Sequence, residues 1–171
     1  MAESQAQNHD GMRPATPSAD AALLLIDVIN DLAFDGGEDL LVQARPMAQA
    51  IAALKQRAYS ANIPVIYVND NFGHWRSDFQ TLVEYCMRPG VPGRETTAVL
   101  RPDEDDYFVI KPRHSAFYQT SLDLLLKYLK VRKLILTGMA ADMCVLFTAN
   151  AAYLREFEVI IPADCCAAER E

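Results

Sequence analysis

Three side chains that could do chemistry stand where apolar runs end. Asp27 closes "AALLLID", Lys111 closes "YFVIK", and Cys144 follows "KLILTG" after the small, flexible stretch "MAADM". A carboxylate can take a proton, an ammonium can hold negative charge, and a thiol that has lost its proton can attack a carbonyl carbon. Together they could open an amide through a thioester. Each alone has a plainer reading: Asp27 as a cap, Lys111 as a solvated strand end, Cys144 as a small buried hydrophobe. Two opposite charges and a thiol at the ends of three apolar runs fit those plainer readings poorly.

Those groups can meet only if the runs are strands of one sheet. Residues 21–28, 63–70, 107–111, 133–138 and 157–164 are short and nearly continuously apolar, as strands buried on both faces are. Helical patterns lie between them. Pro46 opens one, with Met47, Ile51, Leu54 and Ala58 on a single face. Residues 78–87 form a second, followed by a loop over 88–95 with two prolines and two glycines. Thr120 and Asp123 resemble a capping box ahead of the stripe Leu122, Leu125, Leu126 and Leu129, and residues from about 143 to 156 form the last helix. The alternation predicts a three-layer α/β/α sandwich around a mainly parallel, doubly wound sheet of about five to six strands.

In such sheets ligands bind beyond the carboxyl ends of the strands. Asp27, Asp70, Lys111, Gly138 and Asp164 should therefore lie along one edge. Cys144 falls near the start of its helix, where free N–H groups and the positive dipole end favour a thiolate and could face a developing oxyanion. Gly138, Ala140 and Ala141 leave room for a sharp turn. The base could be Asp27, whose pKa burial would raise, or a histidine: His74 follows the second strand, His114 the third, and His9 lies near the N-terminus. Lys111 can lie two strands from Asp27, a gap its four-carbon stem can cover.

Composition narrows the partners. The 171 residues carry a net charge of −7 with no basic cluster, which argues against nucleic acid or an anionic membrane as partner. The apolar run 21–26 is too short to span a bilayer, and the polar N-terminus has no export-signal pattern. Residues 1–19 are expected to be a flexible tail and 20–171 a single cytoplasmic domain. Cys86, Cys144, Cys165 and Cys166 lack C-x-x-C spacing and are expected to be reduced thiols.

With these residues in view, the sequence resembles the isochorismatase-like cysteine hydrolases from about residue 21 onward. "LLLIDVINDL" is similar to the family's aspartate strand, "FVIKPRHSAF" to its lysine segment, and "LILTGMAADMCVLFTANAA" to its nucleophile corner. The resemblance implies an Asp27–Lys111–Cys144 triad and a cis peptide between Met139 and Ala140. It also implies an oxyanion hole from the N–H groups of Ala140 and Cys144, and a homo-oligomer. Ala141 replaces a common threonine, taken here as tuning. "NDNFGHWRSDF" offers Asp70 and His74 without further histidines, a poor zinc set, so neither metal nor other cofactor is expected.

Candidate pocket residues are Phe34, His74, Trp75, Phe117 and Tyr118. The expected substrate is a small molecule with an amide, ureido or carbamoyl C–N bond. Two other readings stand beside it: vinyl-ether hydrolysis, which needs the aspartate but no thiol, and a non-catalytic or redox-sensing thiol domain.

Overall fold

A computed structural model describes residues 20–70, 72–73 and 78–169. The expected tail over 1–19 lies outside them. Six parallel strands form one sheet: β1 (Ala21–Ile26), β2 (Val65–Asp70), β3 (Tyr107–Lys111), β4 (Lys133–Met139), β5 (Glu158–Ile160) and β6 (Cys166–Ala167). The spatial order is β3-β2-β1-β4-β5, with the short β6 also paired to β4. The chain starts in the middle, steps outward to β3, then crosses back to β4. Connections leaving β1 and β4 therefore diverge, and a crevice opens between their carboxyl ends.

Every residue of β1 is buried because helices cover both faces. Leu23 and Leu25 point to one layer with Tyr67, against α1 (Gly37–Ser60) through Leu40, Ala44, Met47, Ala48, Ile51 and Ala58. α2 (Phe79–Cys86) and the short α3 (Arg94–Val99) lie on that side too, Phe79 and Cys86 joining its core. Ala22, Leu24 and Ile26 point to the other layer, against α4 (Leu122–Tyr128) and α5 (Leu146–Tyr153). This is the three-layer sandwich that alternation predicts.

Several boundaries differ from expectation. Pro46 does not open α1; it lies inside a helix that begins at Gly37. Proline removes one bond to the carbonyl four residues back, and that residue, Val42, is 61% exposed, so water can take over. Glu38 and Asp39 in the first turn suit the positive dipole end. The glycine- and proline-rich loop gives way to α3 already at Arg94. No capping box forms on α4: Thr120 donates to the Ala116 carbonyl (2.6 Å) and accepts from the N–H of Leu122 (3.2 Å), so it closes a local turn instead. The strand expected over 157–164 shrinks to the three residues of β5, and Asp164 falls in a 3₁₀ turn (Ala163–Cys165) instead of at a strand end.

One polar cluster outside the crevice fixes the approach to β3. Buried Lys55 on α1 bonds Tyr67 (3.0 Å), Asp103 (2.9 Å), Asp106 (2.8 Å) and the Arg101 carbonyl (3.1 Å). Burial works against its charge, but the bonds to Asp106, Tyr59 and Tyr67 outweigh it and raise its pKa. The ammonium thus pins the segment leading into β3, and hence Lys111. Among the described residues no helix is long and apolar enough to cross a membrane.

Candidate active site

Asp27 sits one residue beyond β1 with φ of 52°, a left-handed turn that takes the chain off the sheet and leaves the carboxyl at its edge. It is 5% exposed. Its Oδ1 accepts from the N–H of Asp70 (2.7 Å), and its Oδ2 lies 2.8 Å from Lys111 Nζ. Lys111 is wholly buried at the end of β3, in register with Asp70 on β2, so its stem crosses the whole of β2 to reach Asp27. Its Nζ also lies 3.4 Å from Cys144 Sγ and 3.5 Å from Asp70 Oδ2. Asp27 also interacts directly with the thiol.

The corner that delivers Cys144 is tight. Gly138, in register with Ile26, has φ of 112°, and a Cβ there would stand 2.0 Å from the Ile26 carbonyl oxygen. The following Met139–Ala140 peptide is cis. Residues Ala141–Val145 then form a single π-helical turn before α5, in which the N–H groups of Met143 and Val145 both reach the Ala140 carbonyl (3.1 and 3.2 Å). Cys144 is therefore held in a widened turn preceding the α-helix and not in the helix's own first turn.

Electrostatics corrects one expectation. The thiol is not biased toward thiolate: burial, with the Asp27 charge second, pushes its pKa up to about 12, and Lys111 only partly opposes this. Burial likewise raises Asp27 despite Lys111. Lys111 itself is penalised by burial, but Asp27, Cys144 and Asp70 outweigh this and raise it. Burial thus favours the protonated thiol and works against the Asp27 charge, while Lys111 opposes both effects.

A cavity of about 480 Å³ opens beside Asp70, walled also by Phe72, Gly73, Pro112, Arg113, His114, Tyr118 and Gln119; Asp27, Lys111 and Cys144 are not in its wall. Of the expected pocket residues, Tyr118 lines it. Phe34 is 45% exposed on the loop before α1 and is not in its wall. Phe117 is turned inward against Phe157 (6.0 Å between rings) and under Arg155, so it packs the core. His74 and Trp75 lie outside the described residues. Among the described residues no three His, Cys, Asp or Glu side chains gather as a metal set.

A family model for the isochorismatase domain matches residues 21–171. The chain belongs to the isochorismatase family. Within it, the chain is 42% identical over 153 residues to the isochorismatase family protein YaaI of Bacillus subtilis, covering 90% of this chain and 83% of YaaI. It is 29% identical to the ureidoacrylate amidohydrolase RutB of Methylorubrum extorquens, covering 88% and 71%. Among solved structures, the N-carbamoylsarcosine amidase of Thermoplasma acidophilum aligns with a TM-score of 0.60 at 26% identity, covering 88% of this chain and 86% of that one.

In this isochorismatase-family chain, sequence reasoning passed over the part Asp70 plays: its N–H orients Asp27 and its carboxylate faces Lys111. The signal was present, since an acid ends the strand lying between the other two. Gln119 in the cavity wall carried no periodic or motif signal, and Arg113, though inside the lysine segment, was not singled out; the turn after β3 brings both there.

Proposed function

We propose that this isochorismatase-family chain is a cysteine hydrolase that cleaves the C–N bond of a small amide, ureido or carbamoyl compound through a thioester. The observation that carries it is the meeting of Asp27 and Cys144 at one buried ammonium, with 2.8 and 3.4 Å to Lys111. Because the thiol rests protonated, attack requires its proton to pass to Asp27 as sulfur bonds the carbonyl carbon. The carbonyl oxygen becomes negative and is met by the N–H groups of Ala140 and Cys144. The C–N bond then breaks, the amine leaves with the proton held by Asp27, and a thioester remains. Water hydrolyses it to the acid and regenerates the thiol. Lys111 keeps the carboxylate ionised between these steps. The amidohydrolase relatives support the reaction class, and a cavity of this size suits a small molecule.

The experiment is a panel of small amides, ureides and carbamoyl compounds scored for ammonia release, with and without exhaustive chelation. Release from at least one compound, undiminished by EDTA, is expected. No release across the panel, or loss on chelation, would redirect the assignment.

We also propose a second copy of this chain as partner. On α5 and in the chain that follows it, Phe147, Tyr153, Leu154 and Ile161 are 47%, 77%, 80% and 45% exposed. Sedimentation is expected to show a species heavier than 19.1 kDa; a monomer at tens of micromolar would remove the idea.

A further inference from the structure

Beyond Asp27 the chain leaves the sheet but stays inside the protein. Val28 and Ile29 are wholly buried and Asn30 nearly so, although none of the three belongs to a strand or helix. Buried backbone of this kind still needs partners for its N–H and C=O groups. Three consecutive residues of β2 supply them. The Val68 carbonyl accepts from the N–H of Asp27 (2.9 Å), Asn69 Nδ2 donates to the Ile29 carbonyl (2.7 Å), and the N–H of Asp70 donates to Asp27 Oδ1 (2.7 Å). Asn69 breaks the pattern of its strand. Val65 and Tyr67, which share its face of β2, belong to the core against α1. Asn69 is fully buried beside them, and among the described residues its Oδ1 has no hydrogen-bond partner. A buried oxygen left unpaired costs stability, so an apolar side chain would suit this layer better. What the amide adds is a grip on the carbonyl two residues beyond Asp27, whose φ of 52° is a conformation side chains seldom hold unaided.

We propose that Asn69 is a positioning residue: by holding the Ile29 carbonyl it fixes the left-handed turn that aims the Asp27 carboxylate at Cys144 and Lys111. The proposal rests on the cysteine-hydrolase reading above, in which that carboxylate takes the thiol proton. Val68 and Asp70 grip Asp27 through their backbones, which any residue could offer. Asn69 acts through its side chain, so its share of the clamp is open to mutation. Without the amide the Ile29 carbonyl loses its donor, the turn relaxes, and the carboxylate swings off the N–H of Asp70. The charged and titratable groups facing Asp27 are Lys111 on β3, Asp70 on β2 and Cys144 in the π-helical turn. The bond from Asp70 helps to hold the acid's pKa down against burial. Its loss leaves Asp27 protonated to higher pH, and so a base over a narrower range. An Asn69 that merely filled space would leave that range where it is.

The test follows alkylation by iodoacetamide, thiol by thiol through peptide mass mapping and as a function of pH, in wild type, Asp27→Asn, Asn69→Leu and Asn69→Ala. As sulfur displaces iodide, a C–S bond replaces the C–I bond and the thiol proton goes to Asp27, so the Cys144 rate reports the aim of that base. Cys86 and Cys165, 0% and 3% exposed, report loosening of the fold instead. In both Asn69 variants the Cys144 rate is expected to fall ~10-fold to ~10²-fold, the scale for a catalytic group displaced by about 1 Å. Its acid limb should move to higher pH while Cys86 and Cys165 label near their wild-type rates. An unchanged Cys144 rate, an acid limb that does not rise, or a loss matched by faster labelling of Cys86 and Cys165 overturns the role of Asn69 alone. Asn69→Ala decides should Asn69→Leu fail to fold. Wild-type labelling of Cys144 no faster than in Asp27→Asn removes the base from the cysteine reading, and this proposal falls with it.

Discussion

Cys144→Ala is expected to remove turnover of any amide the protein hydrolyses, by at least ~10⁴-fold, which corresponds to about 5.5 kcal/mol of transition-state stabilisation. The magnitude follows from chemistry: without sulfur there is no thioester, and the C–N bond must be broken by water in one step. The fold should barely notice. The side chain is only half-buried, and removing Sγ leaves Lys111 satisfied by Asp27 and Asp70 at 2.8 and 3.5 Å. A stability change within about 1 kcal/mol is expected by urea unfolding, the usual range for a mild truncation. Kinetics and unfolding on the same preparation check both halves. Undiminished amide turnover in the variant would rule the thioester route out.

Lys111→Met should harm both fold and activity, in a way that depends on pH. Removing one partner of a buried ion pair costs about 3–5 kcal/mol because the other charge is left in an apolar layer. Asp27 is already raised by burial, and Lys111 is the largest influence holding it down, so its pKa climbs further in the variant. A carboxylate raised in the folded state binds its proton more tightly there than in the unfolded chain. Its contribution to stability is therefore complete below the unfolded value of 3.8 and lost as pH rises through the folded value. The stability deficit of the variant should thus be largest near pH 8 and shrink toward pH 5. Activity runs the other way, since a protonated Asp27 cannot accept the thiol proton. A loss of ~10³-fold near neutral pH, easing as pH rises, is expected from a base held in its acid form. An even loss at every pH would show that Lys111 does not act through Asp27.

How far the sequence leads depends on whether a feature is set by neighbours in the chain or by contacts across it. β1 was legible because a fully apolar run of this length has few alternatives to a doubly covered strand. Asp27, Lys111 and Cys144 were legible for the same reason: each marks the end of such a run. Pro46 misled because the signal for a helix start and for a tolerated interior proline differ only in solvent access to Val42. α3 was hidden by the glycines and prolines before it. The protonated state of Cys144 was also out of reach, since it is decided by burial and the Asp27 charge and not by the dipole of a helix whose first turn the residue does not occupy. Phe117 and Tyr118 are adjacent in sequence, yet one packs inward and the other faces the cavity; no periodicity separates them.

The seat of Lys111 on a strand that does not touch β1 has a consequence for how this protein acquires its chemistry. Asp27 and its counter-ion never become neighbours through a hairpin or a helix turn; they meet only when β2 has zipped between their strands in the right register. A slip of one residue by β3 would turn the ammonium toward the opposite layer. Asp27 and Lys111 are therefore brought together only by the assembled sheet, across β2.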